Sequence, residues 1–564
     1  MRRPRHVATL SALASVLVVA AAFPAQGLGA VAGEPDPSFG SGGFTIFDEP
    51  SKKDEFLSDL LVLPDGKILG AGSRGGLSGF LLARFNSNGS PDLSFGGEGF
   101  KVEPDLGQGG DPRGIEAIEE RADGKFVVAG DGRAPVTGVD AFEFGRYLPN
   151  GNLDPSFGEG GLTTVPMNEF GGAAAMDQAP DGKIVATGNS GTNLLPFQLA
   201  VVRVTESGKP DASFSTVPSD GVRVINVPGS LDEEGYAVKV LGNGTILVGG
   251  WAENGAFLAE VDSEGNLVSG FGKNGVAVDN LGTAPFPSGE IYDLKVLPDG
   301  SIIAVGDAFV AENDEEGFVA RFTPTGQLDP SFGAGGILRL NPTSHDDLLY
   351  ALEIDGVGRI VAAGRRGDDD LTNTADTWLV RLTPDGHLDP SFGSGGETDV
   401  NVVPQREFVS GLALQLDGRA VIAGDVFAES EKMLIGRFTA DPQPIKVSLV
   451  AAKARCGGRK ATIVGTRGAD RLKGTKKADV IAGLGGNDRI SALAGNDVVC
   501  GGKGKDVING GPGKDKLLGE AGKDTLVGGK GKDKLLGGSG KDVCNGGAGK
   551  DAKAAGCETR KKLP

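Results

Sequence analysis

The chain has 564 residues, of which 75 are acidic and 56 are basic, and its net charge at pH 7 is −19. Residues 1–450 hold 63 acidic and 32 basic side chains, whereas residues 451–564 hold 12 acidic and 24 basic ones. This length allows two or more domains, and the opposite charges of the two parts indicate different chemistry. The acidic first part argues against a nucleic-acid-binding protein.

The N-terminal segment has the layout of a secretory signal peptide. Three arginines lie in the first five residues, an apolar run follows from Leu10 to Phe23, and Ala30-Val31-Ala32 supplies small residues for cleavage. The apolar run is short for a bilayer span. We therefore predict a signal peptide over residues 1–32 and a secreted, extracellular protein without a membrane span in its mature chain. We expect it to be monomeric, either in solution or associated with the cell surface.

The next four hundred residues repeat one unit seven times. The phrase DPSFG, or a variant of it, recurs at intervals of 56 to 62 residues, and its phenylalanines are Phe39, Phe95, Phe157, Phe214, Phe271, Phe332 and Phe392. An Asp-Gly turn, as in Pro64-Asp65-Gly66-Lys67, and a strand with a penultimate arginine, as in Ala83-Arg84-Phe85, recur with it. Repeats of this length are typical of propellers and other repeat architectures.

Each unit is predicted to form four antiparallel strands. Two apolar runs flank the Asp-Gly turn as in a β-hairpin, a nearly continuous apolar run follows, and a strand after DPSFG completes the set. Seven such units predict an all-β, seven-bladed β-propeller over residues 33–440. No fourth strand follows the last unit, so we expect the N-terminal strand Gly43–Phe47 to complete the blade of residues 408–438.

The DPSFG phrase is interpreted as a structural turn, with its phenylalanine between neighbouring units. Residues 36–440 resemble the delta-60 repeat family, which implies architecture and no particular activity. The units of Phe214 and Phe271 depart most from the pattern, which leaves the geometry of their turns open. The repeats show no catalytic constellation, because GxSxG is absent and the histidines outside the signal peptide, His345 and His387, lie in or beside turns.

From residue 465 the chain consists of ten consecutive nonapeptides. The first and fourth positions are glycine in nine of the ten, and the eighth is mostly aliphatic. The sixth position is always aspartate, at Asp470, Asp479, Asp488, Asp497, Asp506, Asp515, Asp524, Asp533, Asp542 and Asp551. These repeats resemble the RTX, haemolysin-type calcium-binding nonapeptides, which implies a parallel β-roll and identifies the ten aspartates as candidate calcium ligands.

The spacing gives this resemblance a physical reason. Two nonapeptides make one coil and coils stack about 4.8 Å apart, so the aspartates form two columns in which neighbouring carboxylates repel by about 1 kcal/mol. Ca²⁺ takes six to eight oxygen ligands and can join these carboxylates to carbonyl groups of the turns. Since one aliphatic row makes a thin core, we expect calcium to supply much of the folding free energy.

Lysines next to the aspartates leave an alternative open. Position five is Lys505, Lys514, Lys523, Lys532, Lys541 and Lys550, and these side chains could lower calcium affinity or replace the cation. Because adjacent residues point to opposite sides of a strand, we expect the lysines to point outward. The nonapeptides with Lys477, Ala492 or Lys553 at a key position are the doubtful ones.

All four cysteines lie in the C-terminal part, and their even number in an exported chain indicates disulfides. Three connectivities are possible, of which we favour Cys456–Cys500 and Cys544–Cys557, one at each end of the repeats. The predicted domains are therefore the propeller, a linker over residues 441–455, and a disulfide-capped β-roll over residues 456–564.

Together these features predict a secreted, non-catalytic, calcium-binding protein with a binding or scaffold role, whose further partners are cell-wall or extracellular polysaccharide or protein. Two alternatives stay open. One is a secreted polysaccharide hydrolase or lyase with its site in the propeller channel. The other is a structural surface protein that does not need calcium.

Overall fold

The computed structural model describes residues 31–47, 54–74, 79–96, 98–104, 114–121, 123–134, 137–167, 169–179, 181–192, 195–215, 220–279, 281, 289–311, 314–340, 346–367, 375–415, 417–427, 430–441, 455–457, 459–461, 463–464, 471–549, 551 and 555–561. The chain divides into two compact units, Met1–Ile445 and Lys446–Pro564. Over these ranges the regular elements are all β-strands. None of the described segments forms a helix long and apolar enough to cross a membrane.

Some predictions concern residues outside those ranges. They are the signal segment up to residue 30, most of the linker (442–454), Asp470, Lys550 and Lys553.

The first unit is a propeller of seven four-stranded antiparallel sheets, as predicted. In six blades the strands are neighbours in chain order. Blades one to three are formed by β2 (Glu55–Val62), β3 (Ile68–Arg74), β4 (Gly79–Phe85), β5 (Phe100–Pro104), β6 (Ile115–Glu120), β7 (Phe126–Arg133), β8 (Asp140–Tyr147), β9 (Leu162–Pro166), β10 (Ala173–Gln178), β11 (Ile184–Thr192), β12 (Leu195–Val204) and β13 (Val222–Ile225). Blades four to six are formed by β14 (Glu233–Val240), β15 (Ile246–Ala252), β16 (Gly255–Val261), β17 (Val276–Asp279), β18 (Gly289–Val296), β19 (Ile302–Ala311), β20 (Asp314–Phe322), β21 (Ile337–Leu340), β22 (Asp347–Ile354), β23 (Ile360–Arg366), β24 (Asp376–Leu382) and β25 (Glu397–Val400).

The seventh blade joins the two ends of the propeller. Its strands are β26 (Glu407–Leu414), β27 (Ala420–Phe427), β28 (Glu431–Phe438) and the N-terminal β1 (Phe44–Phe47), which pairs antiparallel with β28. The predicted closure is therefore confirmed. Phe44, Ile46 and Phe47 are buried, and burial of each such side chain contributes about 1.5–3 kcal/mol.

The chain before β1 also packs on the propeller. Ala32 is 2% exposed, and its carbonyl accepts a hydrogen bond from the Gly393 N–H at 2.7 Å. Signal cleavage after Ala32 stays a prediction, and it would remove these contacts.

The recurring motifs form a clasp between blades. In six of the units the arginine Nε binds the DPSFG aspartate, and its guanidinium covers the motif's phenylalanine. In blade two, for example, Arg146 Nε lies 2.8 Å from Asp154 Oδ2, its Nη1 donates to the Glu206 carbonyl of blade three, and its guanidinium carbon lies 4.8 Å from the Phe157 ring centre. All seven motif phenylalanines are buried. The structural interpretation of DPSFG is thus confirmed.

The two divergent units differ in this clasp. The Phe214 unit keeps it, since Arg203 Nε binds Asp211 Oδ2 at 2.8 Å. The Phe271 unit has Glu260 and Val268 in place of the ion pair. Its backbone turn persists, because the Val268 N–H donates to the Glu260 carbonyl at 2.8 Å.

The second unit contains a parallel β-solenoid, as predicted. One sheet contains β31 (Ile463–Val464), β33 (Val480–Ala482), β35 (Val498–Gly504), β37 (Lys516–Gly522) and β39 (Lys534–Ser539). The other contains β32 (Arg471–Lys473), β34 (Arg489–Ser491), β36 (Val507–Gly513), β38 (Thr525–Gly531), β40 (Val543–Ala548) and β41 (Thr559–Lys561), and a short hairpin, β29 (Arg455–Cys456) and β30 (Arg459–Lys460), precedes both.

Paired residues in these sheets are 18 positions apart, as in Val499↔Leu517, so two nonapeptides form one coil. The aliphatic residues of position eight, from Ile481 to Leu535, point inward and form one buried row.

Both predicted disulfides are present. Cys456 bonds to Cys500 and Cys544 bonds to Cys557. All four residues are buried, and each bridge ties a segment flanking the coils to a strand of the solenoid.

Candidate functional site

The aspartates of position six form two columns along the solenoid. The backbone N–H of each donates to the carboxylate Oδ1 of the aspartate 18 residues later, at 2.8–3.0 Å, in seven successive pairs. One column runs through Asp488, Asp506, Asp524 and Asp542, and the other runs from Asp479 through Asp497, Asp515 and Asp533 to Asp551. The nine aspartates are at most 7% exposed, so the spacing of nine brings them together as predicted.

The second oxygen of most of these carboxylates has no hydrogen-bond partner. This holds for the buried Oδ2 atoms of Asp497, Asp506, Asp515, Asp524, Asp533, Asp542 and Asp551. A buried charged oxygen without a partner destabilises a fold by about 1–3 kcal/mol or more. Seven of them in two regular columns indicate that something else binds them.

Backbone carbonyls converge on the same places. A Cβ built on Gly519 would lie 2.5 Å from Asp524 Oδ2 and 2.4 Å from the carbonyl oxygen of Gly537 on the next coil. The same pairing of a carboxylate with a carbonyl oxygen occurs at Gly483, Gly501, Gly510, Gly528 and Gly537. Glycine at position one therefore leaves a space in which acidic and carbonyl oxygens face each other.

The environment of the columns disfavours negative charge. Burial, followed by the neighbouring carboxylates Asp488 and Asp524 in the same column, raises the pKa of Asp506 from 3.8 to about 7. Burial and Asp497 and Asp533 raise the pKa of Asp515 to about 6. Hydrogen bonds from backbone N–H groups only partly offset these effects. A bound cation would remove the penalty.

The donor set fits calcium. Every atom that faces these spaces is a carboxylate or carbonyl oxygen, which is the chemistry of Ca²⁺ sites. Within the described residues, no group of three or more Asp, Glu, His or Cys side chains could hold a metal ion. A cation in the columns would therefore take one or two carboxylates and complete its shell with carbonyls and water.

Asp479 differs from the other aspartates. Its Oδ2 accepts hydrogen bonds from Thr475, from the backbone N–H at 2.7 Å and from Oγ1 at 2.9 Å. This nonapeptide carries Lys477 at position four, and its carboxylate caps the first turns of the solenoid. We expect it to bind calcium weakly or not at all.

Ala492 is the other described departure. It is fully buried, and it brings a methyl group to the place where glycine elsewhere leaves the carboxylate free. The coil with Asp497 should therefore bind a cation less tightly than its neighbours.

The lysines of position five point away from the columns. Lys505, Lys514, Lys523, Lys532 and Lys541 are exposed, whereas the aspartate after each of them is buried. The expected outward orientation is confirmed for these five residues.

The structure adds an acidic residue that the pattern of nine does not predict. The backbone N–H of Asp542 donates to the carboxylate of Glu558, so Glu558 continues the first column where no aspartate follows at residue 560. Its spacing of 16 residues hides it from a search for nonapeptides.

A second candidate site lies in the propeller channel. The first strand of each blade has a β-bulge, for example between Leu57 and Asp59 in β2. Tyr236, Tyr292 and Tyr350, at the bulges of three successive blades, line a cavity of about 670 Å³. Their ring centres are 5.5 and 5.0 Å apart.

Carboxylates line another part of the channel. Burial raises the pKa of both Glu116 and Glu119 to about 8, with further contributions from Asp131 and Asp177, respectively. Other channel carboxylates have basic partners, as in the pair of Asp177 and Lys239, whose Oδ1 and Nζ are 2.6 Å apart. Sequence analysis did not single out Glu116 or Glu119, because neither belongs to a repeated motif.

Comparison with family models decides the nature of the solenoid. The model described as RTX calcium-binding nonapeptide repeat (4 copies) matches residues 464–499, 495–526 and 518–552. The solenoid is built of RTX calcium-binding repeats. These RTX repeats include all of the aspartates with an unpartnered Oδ2. A second model, described as domain of unknown function DUF5122 beta-propeller, matches residues 63–95, 121–157, 179–214, 297–332 and 358–392.

Solved structures share only the fold with this chain. A puromycin hydrolase mutant complexed with PGG is 12% identical with a TM-score of 0.36, and the match covers 76% of this chain and 55% of the hydrolase. The chain thus spans about half the length of that enzyme. For polysaccharide lyase PL25-ulvanlyase the values are 10%, 0.38, 68% and 94%. For the α-L-arabinanase of Penicillium chrysogenum they are 10%, 0.34, 74% and 98%.

These similarities carry no argument about activity. None of the curated proteins matches the chain.

Proposed function

We propose that the protein is a secreted, non-catalytic binding or scaffold protein whose RTX solenoid folds around calcium outside the cell. The observation that carries this proposal is the set of seven buried Oδ2 atoms without hydrogen-bond partners. Calcium supplies the missing positive charge, and the exposed lysines leave the columns accessible to it. The two disulfides support an extracellular location, because such bonds persist in oxidising compartments.

Export would couple folding of the solenoid to calcium concentration. Extracellular calcium modules commonly bind with Kd values of about 10⁻⁴–10⁻³ M, far above the calcium concentrations at which cytosolic sensors respond. The apo columns would therefore stay unfilled inside the cell and fill after export. The monomeric state and a polysaccharide or cell-wall partner for the propeller belong to the same proposal.

Calcium binding to the full chain tests this proposal. Isothermal titration of the protein, stripped of metal with EGTA and dialysed, should give several bound Ca²⁺ per chain with Kd values near that range. Mg²⁺ serves as the control and should bind far more weakly, since it demands octahedral geometry and keeps its waters. Absence of calcium binding up to 10⁻² M would favour the calcium-independent structural protein.

The channel supports one alternative, a polysaccharide hydrolase or lyase. Its supporting observation is the pair Glu116 and Glu119, whose raised pKa values suit a general acid at neutral pH. Turnover of a polysaccharide in a glycan screen, lost in Glu116→Gln and kept in the control Glu120→Gln on the same strand, would establish it. Absence of turnover across the screen would leave the channel with a binding role.

A further inference from the structure

The last coil of the solenoid is built differently from the others. Strand β41 pairs with β40 in the register Val543↔Thr559, 16 residues apart. Every other pair of stacked strands is 18 residues apart, as in Thr525↔Val543. The chain after the last nonapeptide therefore closes the column with a shortened loop.

This short segment delivers the same carboxylate as a full nonapeptide. Glu558 directly precedes β41, as Asp542 directly precedes β40. The Asp542 N–H donates to the Glu558 carboxylate, just as the Asp524 N–H donates to Asp542 Oδ1 at 2.8 Å. Glu558 thus takes the place of the next aspartate in the column.

The segment also delivers the carbonyl oxygen. A Cβ on Gly537 would lie 2.6 Å from Asp542 Oδ2 and 2.0 Å from the carbonyl oxygen of Gly556. This is the arrangement found one coil earlier around Gly519. Asp542 is fully buried, and its Oδ2 faces this space without a hydrogen-bond partner.

The second disulfide anchors the two oxygens. Cys557 lies between Gly556 and Glu558 in the chain and is bonded to Cys544 at the end of the buried row. In a full nonapeptide five positions separate the corresponding residues, Gly537 and Asp542, and the repeat fixes their geometry. Here only Cys557 intervenes, and its bond to β40 fixes them instead.

We propose that Asp542, Glu558 and the Gly556 carbonyl form a terminal calcium site, outside the nonapeptide pattern, which the Cys544–Cys557 bond holds in place. This inference rests on the proposed calcium binding of the solenoid. The carboxylate pair and the carbonyl match the oxygen chemistry of Ca²⁺. The site would close the column at its C-terminal end and tie Ala555–Lys561 to the last coil.

The test counts calcium ions on the full chain with and without the terminal carboxylate. Glu558→Gln keeps an oxygen that can accept the Asp542 N–H and removes the charge. We expect one ion fewer per chain, or one class of site weakened about tenfold or more, with the other sites unchanged. The control Glu264→Gln, an exposed glutamate of the propeller, should bind as the wild type does.

Cys557→Ser tests the role of the disulfide. It keeps Glu558 and should lose the same ion, while the Cys456–Cys500 bond stays intact. Hydrogen exchange over residues 498–531 should match the wild type in calcium for both variants, which separates loss of the site from unfolding. Unchanged number and affinity of ions in Glu558→Gln would overturn the terminal site and leave the proposed function standing. A wild-type chain that binds no calcium would overturn both.

Discussion

Replacing Asp515 by asparagine should have opposite effects on the apo and the calcium-bound solenoid. In the apo state the pKa of Asp515 is raised from 3.8 to about 6. Because each pKa unit corresponds to about 1.4 kcal/mol, the ionised carboxylate destabilises the folded apo state by up to about 3 kcal/mol. This penalty is fully present above pH 6 and absent below about pH 4.

Asparagine removes that penalty and keeps the existing contact. Its carbonyl can accept the Asp497 N–H as Oδ1 does now, at 2.9 Å. Its amide can donate toward the Gly528 carbonyl, since both oxygens face Gly510. At pH 7.5 in EGTA, Asp515→Asn should therefore make the solenoid more stable by about 1–3 kcal/mol, and it should lower the affinity for calcium about tenfold or more.

Asp479→Asn is the matched control. Thr475 already donates two hydrogen bonds to Asp479 Oδ2, so an amide N–H there would face donors. This variant should destabilise the solenoid with and without calcium and leave the remaining calcium affinities unchanged.

Urea unfolding in EGTA, followed by pulsed hydrogen exchange over residues 498–531, measures the first effect, and calorimetric titration measures the second. The difference between wild type and Asp515→Asn should vanish at pH 3.5, where the carboxyl is protonated in both states. An apo Asp515→Asn protein less stable than the wild type at pH 7.5 would refute this reasoning.

Three further outcomes follow from the structure. Apparent calcium affinity should fall as pH decreases from 8 to 5.5, because Asp506 and Asp515, with pKa values of about 7 and 6, take up protons that compete with the ion; a Kd constant over this range by calorimetry would contradict it. Arg146→Leu should lower the free energy of unfolding of the propeller by about 2 kcal/mol in urea, because Asp154 loses a buried partner and keeps only Lys125; a change below 0.5 kcal/mol, the usual scale of a surface substitution, would show that the clasp is dispensable. Edman or mass analysis of the secreted protein should place its N-terminus at or before Ala32, since the Ala32 carbonyl is bound to Gly393; a start beyond residue 36 would contradict the observed packing.

The repeated features of the sequence predicted most of the fold. Seven DPSFG units, each with its Asp-Gly hairpin, determine seven blades, and the missing fourth strand of the last unit predicted the pairing of β1 with β28. The aspartates at every ninth position predicted the two columns, because the period alone places them on two edges. These features follow from local chemistry that occurs many times over.

Features that occur once could not be predicted in this way. Glu558 joins a column through a shortened loop, and Asp479 is capped by a threonine four residues before it; both depend on the shape of the solenoid ends. Glu116 and Glu119 acquire raised pKa values from burial in the channel, which no single unit of the repeat reveals. In each case the decisive partner comes from another coil, another turn or another blade.

Hydrogen exchange of the full chain with and without calcium tests the central claim most directly. Peptides from residues 471–549 are compared in 5 mM CaCl₂ and in EGTA at pH 7.5, and peptides of the propeller serve as the internal reference. The account predicts strong protection of the solenoid in calcium and its loss in EGTA, with little change in the propeller. Equal protection of residues 471–549 in both buffers would contradict it.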